Sequence, residues 1–94
     1  MPEWTFLTNH ARVLICIAHD PNAHLREIAS AVNITERTAY GIIADLVAAG
    51  CVIKERDGRR NRYVIRYHVA LAEPNARDRT IGEVLDVLIG PVTE

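Results

Sequence analysis

The densest chemistry in the chain is cationic. Thirteen positions from Lys54 to Arg66 hold Lys54, Arg56, Arg59, Arg60, Arg62 and Arg66, offset by Glu55 and Asp57, with Gly58 and Asn61 among them. Guanidinium groups gathered at one turn suit phosphate oxygens or insertion into a minor groove. Upstream, Arg37, Tyr40, Gly41 and Ala44 are spaced so that a helix brings them to one face, with Thr35, Glu36 and Thr38 at its start. Such a face carries base-reading chemistry. Arginine makes a bidentate contact to guanine, glutamate accepts from the cytosine amino group, and Tyr40 can touch a phosphate or a thymine methyl. Thr35 and Thr38 suit phosphates. The partner implied is double-stranded DNA, read by Thr35, Glu36, Arg37, Thr38, Tyr40 and Gly41, and gripped by Lys54, Arg56, Arg59, Arg60, Asn61 and Arg62. The competing readings are a packed surface aromatic at Tyr40 and an ordinary solvated turn at Arg59-Arg60; six cations so close together favour contact.

Nothing in the chain has the pattern of a catalytic centre. There is no Ser/His/Asp or Cys/His set, no glycine-rich phosphate loop and no paired carboxylates in a motif, so no enzyme is expected. His10, His19, His24 and His68 are scattered without ligand spacing, and Cys16 and Cys51 form no CxxC. Neither a metal nor a cofactor is therefore expected. Free thiols fit a reducing compartment. Met1 is followed by Pro2-Glu3-Trp4 and not by a basic leader, and no apolar run has the length of a membrane span. These features predict a cytoplasmic protein with no membrane partner.

The elements that must position these residues follow from caps and periodicity. Thr8 caps a helix reaching about His19, ended by Asp20-Pro21-Asn22. His24-Leu25-Arg26 reads as a short strand, followed by a two-turn helix through Glu27, Ile28, Ala29 and Val32, after which Asn33 turns the chain in the left-handed conformation. Thr35 caps a third helix, about Glu36 to Ala49, with Ala39, Ile42, Leu46 and Ala49 inward and Gly50 just past its end. Cys51–Arg56 and Arg62–Tyr67 are β-rich stretches joined by Asp57-Gly58-Arg59-Arg60-Asn61, a hairpin with an Asp-Gly turn signal. His68 to Arg79 is irregular. Thr80 and Glu83 form a capping box for a last helix with Ile81, Val84, Leu85 and Leu88 as its stripe, stopped by Gly90-Pro91.

Helix, helix, tight turn, helix, basic hairpin and helix make a winged helix-turn-helix plan, in which the third helix enters the major groove and the hairpin reaches the flanking backbone or minor groove. The expected fold class is mainly α with a small β-hairpin wing, about four helices and two to three short strands. The stretch LREIASAVNITERTAYGIIADLVAAGCVIKERDGRRNRYVI resembles the winged helix-turn-helix of MarR-like and ArsR-like regulators, and WTFLTNHARVL resembles the start of their short members. That resemblance implies a DNA-binding protein of transcription regulation, with the helix after Thr35 as recognition helix and Asp57 to Asn61 as wing tip. It also implies terminal helices that build a homodimer. The chain lacks the paired cysteines and the Asp/His set of metal-sensing relatives. Gly41 departs from the pattern, since such helices often hold Arg, Ser or Gln there. Either the helix backbone approaches a partner closely at Gly41, or base reading is light.

Composition sets the outer bounds. Ninety-four residues, 49% hydrophobic and 24% charged, fit one domain over residues 1–94, with the helix-turn-helix at about 25–49, the wing at about 51–67 and a dimerisation helix at about 80–89. The net charge is only −1, but it is unevenly spread: residues 35–72 carry seven basic and four acidic side chains, and residues 73–94 two basic and five acidic. A localised phosphate-facing patch gives such a distribution. The last helix has more apolar surface than one stripe needs, so Ile81, Val84, Leu85 and Leu88, with Trp4, Phe6 and Leu7, are expected at a homodimer interface. A winged helix used for protein interaction, with little or no DNA binding, is the alternative that the near-neutral charge and Gly41 favour.

Overall fold

Hydroxyl and carboxylate caps decide where the helices begin. The computed structural model describes residues 4–91 and, at Asp57, the backbone alone; Met1 to Glu3, whose composition bears on a leader, and residues 92–94 lie outside the described residues. The element order is α1 (Asn9–His19), α2 (Leu25–Val32), α3 (Glu36–Ala48), β1 (Val52–Asp57), β2 (Arg60–Ile65) and α4 (Ile81–Ile89). Thr8 Oγ1 accepts from Ala11 N–H at the head of α1, and Thr35 Oγ1 accepts from Thr38 N–H at the head of α3. At α4, Thr80 and Glu83 exchange hydrogen bonds as a full capping box. Each such cap contributes about 1 kcal/mol by satisfying donors that the helix leaves open.

Asn33 makes the tight turn. Its φ is 63°, in the left-handed region, and its N–H reaches back to the carbonyls of Ala29 and Ser30, so that α3 can start after only Asn33, Ile34 and Thr35. α2 and α3 then pack together and against α1, which buries Val13, Leu14 and Ile17 between Ile28 and Val32 on one side and Ile42, Ile43 and Leu46 on the other. Val52, Tyr63 and Ile65 of the hairpin, and Ile81 and Leu85 of α4, complete this single core. The result is a mainly α domain with a two-stranded antiparallel wing after a helix-turn-helix, the winged helix-turn-helix class that the sequence predicts. Among the described residues, no helix is long and apolar enough to cross a membrane.

Four sequence expectations are corrected. His24-Leu25-Arg26 is not a strand: His24 is the N-cap residue of α2 and its N–H donates to Glu27 Oε1 at 2.7 Å. The strand-like contact lies upstream, where Tyr63 N–H meets Pro21 O at 3.1 Å, and a ladder cannot continue there because proline has no N–H. The wing strands also run closer to the turn than expected. Asp57 pairs with Arg60, leaving Gly58-Arg59 as a two-residue loop whose Gly58 has φ +65°, as a type II′ turn requires at its first central position. In α3 it is Ile43, not Ala49, that joins the inner face; Ala49 is the exposed C-cap, with Gly50 at φ +81° turning the chain into β1. Finally, Ile81 and Leu85 are buried in the chain's own core and are not presented on the outer face of the last helix.

Candidate functional site

The first two turns of α3 and the wing border one cleft. Arg37, Tyr40, Gly41 and Ala44 are all exposed, as are Glu36 and Thr38 beside the cap. Thr35 Oγ1 is already occupied by the Thr38 N–H at 3.0 Å and donates its own hydrogen to Thr38 Oγ1 at 2.9 Å, so both hydroxyls are fixed in place at the helix start. Tyr40, 63% exposed, stands between α3 and the hairpin, where it lines a cleft of about 340 Å³ with Ala23, His24, Lys54, Arg59, Arg60 and Tyr63. Among the described residues, the lining contains His24, Lys54, Arg59 and Arg60 as basic groups and no carboxylate.

The hairpin register explains this charge separation. Lys54 is opposite Tyr63 and Arg56 is opposite Asn61, in phase with the buried Val52 and Ile65 pair, so Lys54 and Arg56 belong to the helix-facing side. Glu55 and Arg62 are opposite each other on the far side. Among the described residues, the side chains of Arg37, Lys54, Arg59 and Arg62 make no hydrogen bond or ion pair within the chain. Arg56 Nε reaches only the carbonyl of Gly58, at 3.3 Å. Arg60 is different. Its Nη2 donates to Asn22 O at 3.1 Å and meets His24 Nε2 at 3.2 Å, tying the wing to the loop before α2. Tyr63 backs the cleft. Burial holds its phenol above the ordinary tyrosine range, an effect opposed by the Asn61 amide and reinforced by the Tyr40 phenol, so Tyr63 remains protonated at neutral pH.

The structure therefore brings together Tyr40, Lys54, Arg59, Arg60 and Asn61 around the cleft, with Arg37 on the adjoining helix face and Arg62 on the wing's far side. His24 and Tyr63 belong to the same cleft although nothing in the sequence places them there. They lie 36 and 23 residues from Arg60 and Tyr40, and no local pattern signals such long-range neighbours. The residues expected at a homodimer interface do not form one set. Ile81 and Leu85 are core residues that also reach the floor of an apolar groove of about 260 Å³, which Val84 and Leu88 line with Thr8, Ala11, Leu46 and Leu71. Leu7 is half-buried, while Trp4 and Phe6 are exposed and do not line that groove. Val87, 85% exposed, is the most open apolar side chain of α4. Among the described residues no group of three His, Cys, Asp or Glu side chains is placed to hold a metal ion.

No protein-family model matches the chain, and no curated protein matches it either.

Proposed function

We propose that this chain is a sequence-specific double-stranded DNA-binding protein that regulates transcription in the cytoplasm as a homodimer, in the manner of the MarR-like and ArsR-like proteins it resembles. The observation that carries this reading is the shared cleft: an exposed helix face bearing Arg37 and Tyr40 stands beside Lys54, Arg59 and Arg60 of the wing, with no carboxylate among the described residues of the cleft lining. A helix of this kind fits the major groove, which is about 12 Å wide. From Arg37 to Ala44 the helix rises about 10 Å, the height of roughly three base pairs. Arg37 is the residue for guanine, Glu36 for a cytosine amino group, and the wing cations hold the flanking phosphates.

Three base pairs are too few for recognition in a genome, which is why two copies are required. A twofold dimer reading a pseudo-palindrome sets its recognition helices about 34 Å apart. The domain measures 40 × 35 × 24 Å, so two copies side by side reach that spacing. Val84, Val87 and Leu88 of α4 supply the apolar surface for pairing, together with Phe6, Trp4 and Leu7. The experiment is selection from a pool of random duplexes. Enrichment of a two-fold-related sequence with half-sites about one helical turn apart is expected; an unenriched pool, with no retained duplex at low salt, refutes the reading.

One observation favours the alternative of a protein-interaction module. Beyond Tyr40 the outer side of α3 is apolar, and Ala44, Val47 and Ala48 border a shallow groove with Tyr40, Lys54 and Tyr63. A docked partner segment buried there binds with little dependence on salt, unlike a phosphate backbone.

A further inference from the structure

One edge of the wing is unpaired, and the helix beside it keeps an apolar face that the core does not use. Arg66 N–H donates to Cys51 O at 2.8 Å, so the register turns the backbone groups of Ile53 and Glu55 towards β2 and those of Lys54 and Arg56 away from it. Tyr63, opposite Lys54, is in the same phase: its N–H leaves the ladder on the other side and meets Pro21 O at 3.1 Å, which covers the outer edge of β2. β1 has no such cover. Among the described residues, no backbone group of another element reaches the N–H or C=O of Lys54 or Arg56, and both residues are exposed.

The groove of about 280 Å³ bordered by Ala44, Val47 and Ala48 lies on this open side. Lys54 and Tyr63 close it towards the hairpin, and the loop before α2, which supplies Ala23 and His24 to the other cleft, takes no part in it. A strand laid along β1 puts the side chains opposite Lys54 and Arg56 on the α3 side of the sheet, because cross-strand neighbours share a face. An apolar side chain opposite Lys54 then enters the groove, where Ala44 and Ala48 leave room for it, and a side chain opposite Arg56 meets a guanidinium. Among the described residues of the groove lining, Lys54 is the charged group and there is no carboxylate, so an acidic residue suits the position opposite Arg56. A second copy of this chain does not supply one. Pairing β1 with β1 sets Lys54 and Arg56 of one copy against the same cations of the other, and like charges directly opposite are destabilising.

We infer that the open edge of β1 and the adjoining groove of α3 bind an extended segment of another protein, added to the wing as an antiparallel strand, with an acidic residue opposite Arg56 and an apolar residue two positions later against Ala44, Val47 and Ala48. Main-chain hydrogen bonds to Lys54 and Arg56 hold such a segment, and the groove and the cations select its alternate side chains. The inference gives a partner chemistry to the groove that favours the protein-interaction alternative. It does not rest on the DNA-binding reading.

The test uses the whole chain and a capped heptapeptide with threonine at its odd positions and aspartate, aspartate and leucine, in that order, at its even ones. In nuclear magnetic resonance titrations the Lys54 and Arg56 amides should shift and their hydrogen exchange should slow by at least about tenfold on addition of the peptide, whereas the Ile53 and Glu55 amides, already paired with β2, should change little. In this arrangement the peptide's second aspartate and its leucine donate their N–H groups to β1, so N-methylation there should weaken binding by about tenfold or more, and N-methylation of the central threonine by less than about twofold. On the chain, Val47→Glu places a carboxylate in the groove and should weaken binding by about tenfold or more, while Ala49→Glu on the exposed helix end should leave it within about twofold. Lys54 and Arg56 amides indifferent to the peptide, equal losses from the two N-methylations, or a Val47→Glu chain that binds as well as wild type overturn the inference. Amides already protected in the chain alone, in a concentration-dependent way, also overturn it, because a second copy then occupies the edge. Binding of a DNA duplex without binding of the peptide overturns it and leaves the DNA reading standing; peptide binding without duplex binding sustains it and overturns the DNA reading.

Discussion

The same substitution should have opposite effects at two glycines. Gly82 is the second residue of α4, donates its N–H to Tyr67 O at 2.8 Å, and is buried. A Cβ built there would lie 3.0 Å from Tyr67 Cβ and 3.0 Å from Tyr67 O. Neither neighbour is the free end of a flexible side chain, so relief requires α4 or the backbone at Tyr67 to move. Overpacking of this kind costs about 1 to 3 kcal/mol, and weakening the Gly82 hydrogen bond adds about 1 kcal/mol; helix propensity returns less than about 1 kcal/mol. Gly82→Ala should therefore destabilise the domain by about 1 to 3 kcal/mol, lowering the melting temperature by roughly 5 to 20 °C for a chain of this size. Gly41 is the control. It lies inside α3, exposed, with nothing within 4 Å of the place a methyl group would take, so Gly41→Ala should stabilise by about 0.5 to 1 kcal/mol. Urea unfolding followed by far-ultraviolet circular dichroism reads both. A Gly82→Ala chain at least as stable as wild type would refute the docking of α4 on Tyr67 from which this argument starts.

Changing Arg59 and Arg60 together to alanine should weaken DNA binding about evenly across sequences and reduce the slope of log K against log salt by about 1 to 2, measured by anisotropy, because each lost phosphate contact removes about 0.9. Arg37→Ala should instead relax specificity at one base position at a cost of about 1 to 3 kcal/mol, read as altered preference in a competition gel shift. Leu88→Asp or Val87→Asp should give a folded monomer in light scattering, whereas Leu85→Asp should unfold the chain, since Leu85 is 2% exposed. The Glu83 carboxylate is held below the ordinary glutamate range, chiefly by the Thr80 backbone N–H with help from Arg79. Its folded value is lowered, so the cap is complete above the unfolded value and is lost as the pH falls through the folded one. Acid titration of α4 amide shifts should show this loss, and Glu83→Ala should abolish it.

What can be read from the sequence is local. Thr8, Thr35 and the Thr80/Glu83 box announce helix starts because capping involves residues within three positions of one another, and Asn33 announces the turn because few residues tolerate its φ of 63°. The basic face and basic hairpin are legible for the same reason. The corrections fall where tertiary contacts decide. His24 has a side chain and neighbours compatible with a strand, but its N–H is claimed by Glu27 three residues on. Ile81 and Leu85 are indistinguishable by type from Val84, Val87 and Leu88, and only the docking of α4 on Tyr67 determines which of them turn inward. The His10–Asp45 contact at 2.8 Å between α1 and α3, and the Arg60–His24 contact, join residues 35 and 36 positions apart and leave no trace in periodicity.

The central claim is that the cleft side of α3 and the wing meet a phosphate backbone. The most direct measurement is the affinity of the chain for a labelled duplex as a function of salt concentration. Arg37, Lys54, Arg56, Arg59 and Arg60 are all exposed, and if they replace counterions the slope of log K against log salt is about −4 to −5 for each bound copy. A steep slope of that size, flattened by the Arg59 and Arg60 changes, is the predicted result. Affinity that is absent at low salt, or that barely responds to salt, would contradict the account.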